Sequence, residues 1–311
     1  MHKIKVTIIC ILRMNFLPAQ RWGNSFHPVR RKALIYSIVA MMLFPGCGGK
    51  SGSIGQLQDD LGHKLPALPA GGGVVSLAPN TTELIIWLGA ILKLKGVTRY
   101  CRVLASAAEL RIVGSMLKPD LERISLLKPD LALLSFEGNP PALAASLRRL
   151  SIPVYVIRIE TVSGLYASLQ RLASVLNLKI DARLRKLKQR VAALKDRLKG
   201  QRVLFHIPGG RSVFTFGTKT LLGDLLLIAG AENAGAELSG RFPRVSPERL
   251  ATLQIKTAVI LTAPNTPAAS TIRTLWKRLS PDTKLVFSAE AAFFRPGPGL
   301  VRALASLVDQ L

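Results

Sequence analysis

Residues 119–135, PDLERISLLKPDLALLS, decide the fold, because residues 246–262, SPERLATLQIKTAVILT, repeat their pattern in the second half of the chain. Each stretch starts with a residue that caps helices, Asp120 or Ser246, followed by a Glu-Arg pair and a short apolar helix. An apolar run that is typical of a buried strand ends each stretch. One helix–strand unit therefore occurs twice, with Glu122 and Glu248 at the same position.

Strands and helices alternate on both sides of this unit, which predicts parallel sheets covered by helices. A Gly-rich hairpin or loop is predicted at 208–217. The pattern predicts strands at 74–77, 94–101, 131–134, 152–157, 202–207 and 284–289, and helices from Thr81 or Thr82 and at 121–127, 141–150, 163–176, 218–231, 271–279 and 298–311.

A different segment, residues 178–200, separates the two alternating blocks. It consists of strong helix formers, with Leu184, Leu187 and Val191 at helical spacing and nine Lys or Arg residues on what is predicted to be a solvated face. We therefore expect an N-terminal α/β lobe over 74–177, one long rigid interdomain helix over 178–200, and a C-terminal α/β lobe over 201–311.

The composition supports a folded protein and disfavours a nucleic-acid-binding one. Of 311 residues, 49% are hydrophobic and 20% charged, enough for sizeable cores. The net charge is +25, but the basic residues are dispersed, and no zinc-finger spacing or aromatic RNA-binding motif accompanies them. We predict no nucleic-acid partner.

The N-terminal region has the organisation of an export signal. Arg30, Arg31 and Lys32 precede an apolar run over 33–46, which is too short to span a membrane. Cys47 follows, so we predict a lipoprotein-type signal peptide over 1–46, lipid attachment at Cys47, a flexible tether over 47–73 and a periplasmic location. A cleaved signal with an incidental Cys is the alternative, and translation starting at Met14 is also compatible with the length of the region.

Motifs for catalysis are missing from the sequence. There is no Gly-x-Ser-x-Gly elbow, no phosphate-binding Gly-Lys-Ser/Thr loop and no His-rich metal site. Three cysteines do not make a disulfide framework. The sequence thus predicts a monomeric protein that is not an enzyme and needs no cofactor or metal, with a two-lobed glycosyltransferase-like enzyme as the alternative from a different class.

The two glutamates permit two interpretations. Acid in the first turn of a helix complements the helix dipole, which stabilises by up to about 1 kcal/mol. Alternatively, Glu122 and Glu248 project from equivalent edges of two lobes and suit docking onto a partner with paired arginines. The residues alone favour the first interpretation.

Several motifs together resemble the substrate-binding proteins of ABC importers for cobalamin, haem and ferric siderophores. The resemblance runs from about Val74 to the C-terminus. It is carried, in order, by VVSLAPNTTELIIWLGA, LKGVTRYC, KPDLERISLLKPDLALL, FTFGTKTLLGDLLLIAGAENA, VSPERL and RPGPGLVRAL.

This resemblance implies a function. In that family two lobes joined by a rigid helix, a helical-backbone, chelatase-like arrangement, bind a metal chelate in the cleft between them. One glutamate per lobe docks on arginines of the importer's membrane subunits, which implies this role for Glu122 and Glu248. Nucleotide hydrolysis takes place on other subunits.

The closest likeness is to the cobalamin-binding branch, although that branch usually has Asp-Tyr-Pro-Pro where this chain has residues 102–105. A corrin is a broad apolar disc, so candidate ligand-binding residues are apolar or aromatic and lie near strand ends; they are Tyr100, Met116, Phe136, Phe216 and Phe242. Haem, with Tyr100 and His206 as iron ligands, and a ferric siderophore remain alternative cargoes. Core packing is the alternative role for each phenylalanine and for His206.

Overall fold

The computed structural model describes residues 57–66, 68–69, 71–101, 110–209 and 212–311. The predicted signal peptide, Cys47 and residues 102–105 lie outside the described residues. Among the residues that are described, no helix is both long enough and apolar enough to cross a membrane.

A five-stranded parallel sheet forms the N-terminal lobe, in the order β3-β2-β1-β4-β5. Its central strands β1 and β4 are buried along their whole length because helices cover both faces. The strands are β1 (Val74–Ser76), β2 (Leu94–Val97), β3 (Arg111–Ile112), β4 (Leu131–Ser135) and β5 (Val154–Ile157), and the helices are α1 (Pro79–Trp87), α2 (Leu121–Leu126), α3 (Ala142–Arg149) and α4 (Val162–Val175).

The sheet of the C-terminal lobe is mixed rather than purely parallel. Strands β11-β10-β6 are parallel, but the predicted Gly-rich hairpin turns the chain back, so that β7 is antiparallel to β6 and β9 antiparallel to β7. The strands are β6 (Arg202–Gly209), β7 (Ser212–Phe214), β8 (Glu232–Asn233), β9 (Arg244–Val245), β10 (Thr257–Ile260) and β11 (Lys284–Phe287), and the helices are α6 (Leu221–Ile228), α7 (Pro247–Thr252), α8 (Pro267–Leu279) and α9 (Pro298–Leu307).

The repeated unit is the same at the level of the backbone. The Asp120 side chain accepts a hydrogen bond from the third residue of α2, and the Ser246 side chain does the same for α7. Both six-residue helices are followed by a left-handed residue at the same offset, Lys128 with φ 44° and Gln254 with φ 47°. The next strand, β4 or β10, pairs with a parallel strand on each side.

The long interdomain helix predicted over 178–200 is wrong in length. Helix α5 covers only Asp181–Ala192, and a series of turns leads on to Gly200. Asp196 has φ 57°, and its N–H donates to the Ile228 carbonyl, while the Leu198 N–H donates to Ala229. Backbone donors that would continue the helix thus bind the C-terminal end of α6 instead, although Leu194 and Leu198 stay buried as the helical pattern predicts.

A single apolar core connects the two sheets. Buried residues of β1 and β4 in one lobe and of β6 in the other belong to one cluster, together with Leu184 and Leu187 of α5 and Leu304 of α9. A separate apolar cluster covers the other face of each sheet. The lobes are therefore held by continuous packing along α5 and α9 in addition to the chain connection.

The predicted tether ends earlier than residue 73, because residues from Leu57 onward pack on the N-terminal lobe. The Asp60 carboxylate is 1% exposed and accepts hydrogen bonds from the Tyr155 hydroxyl (2.8 Å), the Ser168 hydroxyl (2.6 Å), the Arg158 N–H (3.0 Å) and the Arg171 guanidinium (2.8 Å). Burial together with the negative charge of Asp60 raises the pKa of the Tyr155 hydroxyl. The buried, hydrogen-bonded carboxylate of Asp60 therefore makes a fixed attachment between this segment and the edge strand β5.

Replacing Asp60 with Ala should lower the free energy of unfolding by about 1–3 kcal/mol, because two hydroxyls and part of the Arg171 guanidinium lose their acceptor. Urea unfolding followed by circular dichroism measures this loss. Asp309→Ala is the matched control, because its pair with Arg197 is exposed and contributes about 0–1 kcal/mol. Equal losses for the two variants would contradict the fixed attachment.

Candidate ligand-binding cleft

A cavity of about 630 Å³ lies between the two lobes and is lined by residues of both. Its N-terminal wall comes from the carboxyl ends of parallel strands, where α/β folds bind ligands. Tyr100 follows β2, Met116 follows β3, Ser135 ends β4, and Ile159 follows β5. Sheet topology therefore brings residues from distant parts of the sequence to one wall.

Aromatic side chains dominate the opposite wall. Phe216 packs edge-on against Phe242, with ring centroids 5.6 Å apart, and against the buried Phe205 at 6.1 Å. Phe293 contacts Phe205 in turn at 5.3 Å. The exposed aromatic rings of this wall suit a broad apolar ligand, because such rings provide large contact areas. The lining aromatics of the C-terminal lobe are Phe214, Phe216, Phe242, Phe293 and Phe294.

Two charged residues line the described cavity walls, and both are paired across the lobes. Glu137 of the N-terminal lobe accepts from Arg241 at 2.6 Å, and Arg295 of the C-terminal lobe donates to Glu83 at 2.7 Å. Burial raises the pKa of the Glu137 carboxyl, and the charge of Arg241 opposes that shift. With each charge compensated by a partner, the described part of the wall presents no free cation to a ligand.

The pair at Glu83 also fixes the start of α9. Glu83 Oε1 accepts the Gly299 N–H at 2.7 Å, so one carboxylate binds both Arg295 and the N-terminal end of the helix. A Cβ at Gly299 would overlap Glu83 Oε1, so a larger residue there would displace the Glu83 carboxylate. Glu83, the fifth residue of α1, thus links the lobes, a role that its place in the sequence did not indicate.

Phe136 does not line the cavity, although it was predicted to bind ligand. Its ring lies beneath two guanidinium groups, Arg158 Cζ at 4.7 Å and Arg241 Cζ at 5.3 Å from the ring centroid. Arg241 also contacts Glu160, which in turn pairs with Arg158 at 2.9 Å. Phe136 therefore supports the cross-lobe ion pairs at the edge of the cleft.

His206 is not placed in the cavity either. It is 2% exposed, and its Nδ1 accepts a hydrogen bond from the Trp276 indole N–H at 3.0 Å, within the core of the C-terminal lobe. Burial lowers the pKa of the imidazole from 6.5 to about 4, so that it stays neutral. The structure does not bring Tyr100 and His206 together as a pair of iron ligands. Among the described residues no group of three His, Cys, Asp or Glu is arranged to hold a metal ion.

The depressed pKa of His206 predicts a pH-dependent stability. Below pH 6.5 the unfolded chain binds a proton that the folded protein excludes until about pH 4, so stability should fall by up to about 3 kcal/mol across this window as pH decreases. In His206→Gln, whose amide oxygen keeps an acceptor for Trp276, this part of the loss should disappear. Urea unfolding at pH 7 and pH 4 measures the difference.

Trp276→Phe is the matched control for this measurement, because it removes the indole donor and leaves the imidazole to titrate. This variant should retain the decrease in stability between pH 6.5 and pH 4. A decrease in His206→Gln as steep as in the unmodified protein would contradict the assignment.

Glu122 and Glu248 are each the second residue of the helix in the two copies of the repeated unit. Each begins a helix that starts beside the carboxyl ends of its sheet, and both are exposed. The Ser246 hydroxyl and a backbone N–H lower the pKa of Glu248, which keeps it charged. The neighbouring arginines bind elsewhere, Arg123 to Asp120 at 3.0 Å and Arg249 to Glu237 at 3.9 Å. Within the described part of the chain neither glutamate forms an ion pair.

The cavity thus contains four of the predicted ligand-binding residues, Tyr100, Met116, Phe216 and Phe242. The cavity is also lined by four residues that were not predicted from the sequence, Phe214, Phe293, Phe294 and Arg295. The rule that ligands bind at strand ends would have found the last three, because they follow β11.

Two α/β lobes that enclose an apolar cleft have the architecture of a two-lobed ligand-binding protein. Residues 74–284 match the family model described as periplasmic binding protein, and the chain belongs to this family. A relative, the vitamin B12-binding protein of Pectobacterium carotovorum, is 30% identical over 245 residues, covering 76% of this chain and 87% of the relative.

Solved structures have the same fold. The periplasmic vitamin B12 binding protein BtuF of Vibrio cholerae matches with a TM-score of 0.63 at 20% identity, covering 77% of this chain and 95% of that one. The periplasmic heme binding protein HutB of Vibrio cholerae matches with a TM-score of 0.62 at 22% identity, covering 76% of this chain and 99% of that one. The relatives named here are binding proteins, and their fold is shared by proteins named for different ligands.

Proposed function

We propose that this protein is the extracytoplasmic substrate-binding protein of an ABC importer, and that it binds a cobalamin-like corrinoid in the cleft and delivers it to the membrane permease dimer. Membership of the periplasmic binding protein family and the likeness to vitamin B12-binding proteins support the role. The protein acts in the periplasm as a monomer, held at the membrane by a lipid on Cys47.

The observation that favours a corrinoid over haem is the charge balance of the cavity. Haem carries two carboxylates, and burying them requires cations that are not already engaged. Arg295 and Arg241 are engaged by Glu83 and Glu137, and the other residues of the described walls are uncharged. A corrin bears amide side chains rather than carboxylates and so fits such a site without breaking an ion pair. A ferric siderophore that bears carboxylates meets the same obstacle as haem.

Titration of the leader-free protein with cyanocobalamin and with haemin tests this assignment. Cyanocobalamin should bind at least about tenfold more tightly, because haemin has to displace a cross-lobe ion pair. Isothermal titration calorimetry gives both dissociation constants.

Glu83→Gln is the matched variant, since it keeps an acceptor for the Gly299 N–H but leaves Arg295 unpaired at the cavity wall. It should bind haemin more tightly relative to cyanocobalamin. Haemin bound more tightly than cyanocobalamin by the unmodified protein would overturn the corrinoid assignment, and hydrolase or transferase activity without ligand binding would overturn the transport role.

The docking role belongs to Glu122 and Glu248. Replacing both with Ala should leave the dissociation constant for cyanocobalamin unchanged and abolish uptake by cells that carry the cognate importer, because each lobe loses the charge that the permease arginines bind. Labelled cyanocobalamin measures uptake.

Asp282→Ala is the control for docking, because this exposed carboxylate precedes β11 and therefore lies at the amino ends of the strands, away from the cleft. Its uptake should equal that of the unmodified protein. Normal uptake by the double variant would exclude the docking role, and loss of corrinoid binding in that variant would show that the two glutamates act on the cleft instead.

A further inference from the structure

Two buried asparagines lie near the cleft and differ in their hydrogen bonding. Asn139 uses both ends of its amide: Oδ1 accepts the Ser135 N–H at 2.8 Å, and Nδ2 donates to the carbonyls of Leu77 (3.0 Å) and Met116 (2.9 Å). Asn80 is 5% exposed and lines the cavity, and within the described part of the chain its Nδ2 has no hydrogen-bond partner. Leaving such a buried donor unpaired costs about 1–3 kcal/mol, so an unpaired amide at a cavity wall points to a missing partner.

A second polar residue, Ser135, lines the same cavity as Asn80. Asn139 binds both Leu77, which follows β1, and Ser135, which ends the adjacent strand β4, so it clamps the two strand ends together. Asn80 begins α1 just after Leu77. Ser135 is also buried at 4% exposure and lines the cavity, and it contacts Asn139 through its backbone N–H rather than its hydroxyl.

At this point in the wall Gly138 allows Met116 and Ser135 to pack closely against the backbone. A Cβ there would lie 2.8 Å from Met116 Sδ and 3.5 Å from the Ser135 hydroxyl, in the space beside that group. By contrast, Ser76, Thr81 and Thr82, which are buried behind the same loop, bind one another at 2.6 and 2.7 Å and leave no group for a ligand. Among the described residues, Asn80 Nδ2 differs from these structural groups because it has no internal hydrogen-bond partner.

We infer that Asn80 and Ser135 form a subsite that binds a primary or secondary amide of the ligand. An amide offers one acceptor and one N–H donor, and the Asn80 side chain supplies the complementary pair in either of its two orientations about the terminal bond. The Ser135 hydroxyl donates to or accepts from the same group. A carboxylate has no N–H for the Asn80 oxygen, so the subsite selects amides over acids.

This inference rests on the proposed function, because corrinoids carry peripheral amides whereas haem carries carboxylates. It goes further by assigning recognition to particular residues and by predicting discrimination within the corrinoids. Conversion of the recognised amide to a carboxylic acid should weaken binding.

The test compares Asn80→Leu with Asn139→Leu. Asn80→Leu should weaken cyanocobalamin binding by about 10- to 100-fold, because the ligand amide is buried without a partner, while the stability of the unliganded protein stays the same or increases. Asn139→Leu should instead lower the urea midpoint, because it breaks three hydrogen bonds between strand ends. Ser135→Ala should weaken binding by a smaller factor than Asn80→Leu.

A second measurement does not depend on affinity. In a ¹⁵N-labelled sample the Asn80 side-chain NH₂ resonances, assigned by their absence in Asn80→Leu, should shift when cyanocobalamin is added, and those of Asn139 should shift less. Monocarboxylic acids of cyanocobalamin, each with one amide hydrolysed, should include one that binds the unmodified protein more weakly but binds Asn80→Leu with no further loss.

The possible results distinguish failure of the amide subsite from failure of the proposed function. If the unmodified protein binds cyanocobalamin and Asn80→Leu binds it equally well with no resonance shift, the amide subsite is wrong and the corrinoid function stands. If the unmodified protein binds haemin and not cyanocobalamin, the proposed function fails, and the amide subsite fails with it.

Discussion

The continuous apolar core between the two sheets is the constraint on which the cleft depends. Leu184 and Leu187 of α5 and Leu304 of α9 belong to the same buried cluster as residues of both central sheets, so neither lobe moves without exposing apolar surface. This packing sets the separation between the strand ends of the two lobes, which line the cavity. The paired charges Glu83–Arg295 and Glu137–Arg241 reinforce this arrangement at the cavity walls.

Under the proposed function, compensated charge at those walls determines which ligands the cleft accepts. An ion pair between lobes holds them together and at the same time removes an arginine from the set of groups that a ligand can bind. The apolar and aromatic surface then supplies contact area for the ligand, and polar groups without a partner, such as the Asn80 amide, determine the orientation of the ligand. The same carboxylates therefore contribute to both the geometry of the cleft and the exclusion of anionic ligands.

Local patterns were sufficient to predict most of the architecture. The caps Asp120 and Ser246 and the alternation of strands and helices were predicted correctly, and of the two alternatives for the Gly-rich segment, hairpin or loop, the strand pairing corresponds to the hairpin. The length of α5 was not predicted correctly, because the backbone N–H groups of Asp196 and Leu198 donate to the end of α6. Helix propensity does not include such tertiary contacts. The contacts of Asp60, Glu83 and His206 could not be predicted for the same reason. Their partners Arg171, Arg295 and Trp276 are remote in sequence, and only the fold brings them into contact.

The repeated unit could be predicted from local sequence more fully than the lining of the cleft, and the reason is physical. Glu122 and Glu248 begin short helices whose caps and left-handed ends repeat in both lobes, so one local pattern specifies both positions. Cavity walls have no such pattern, because each residue comes from the end of a different strand and only the sheet order makes them neighbours. Under the proposed docking role, the surface that meets a two-fold partner has to repeat, whereas a cleft that holds one asymmetric ligand does not. The proposed transport role is consequently indicated by the sequence more directly than the proposed cargo, and the cargo is better inferred from the polar groups that the described walls leave without a partner.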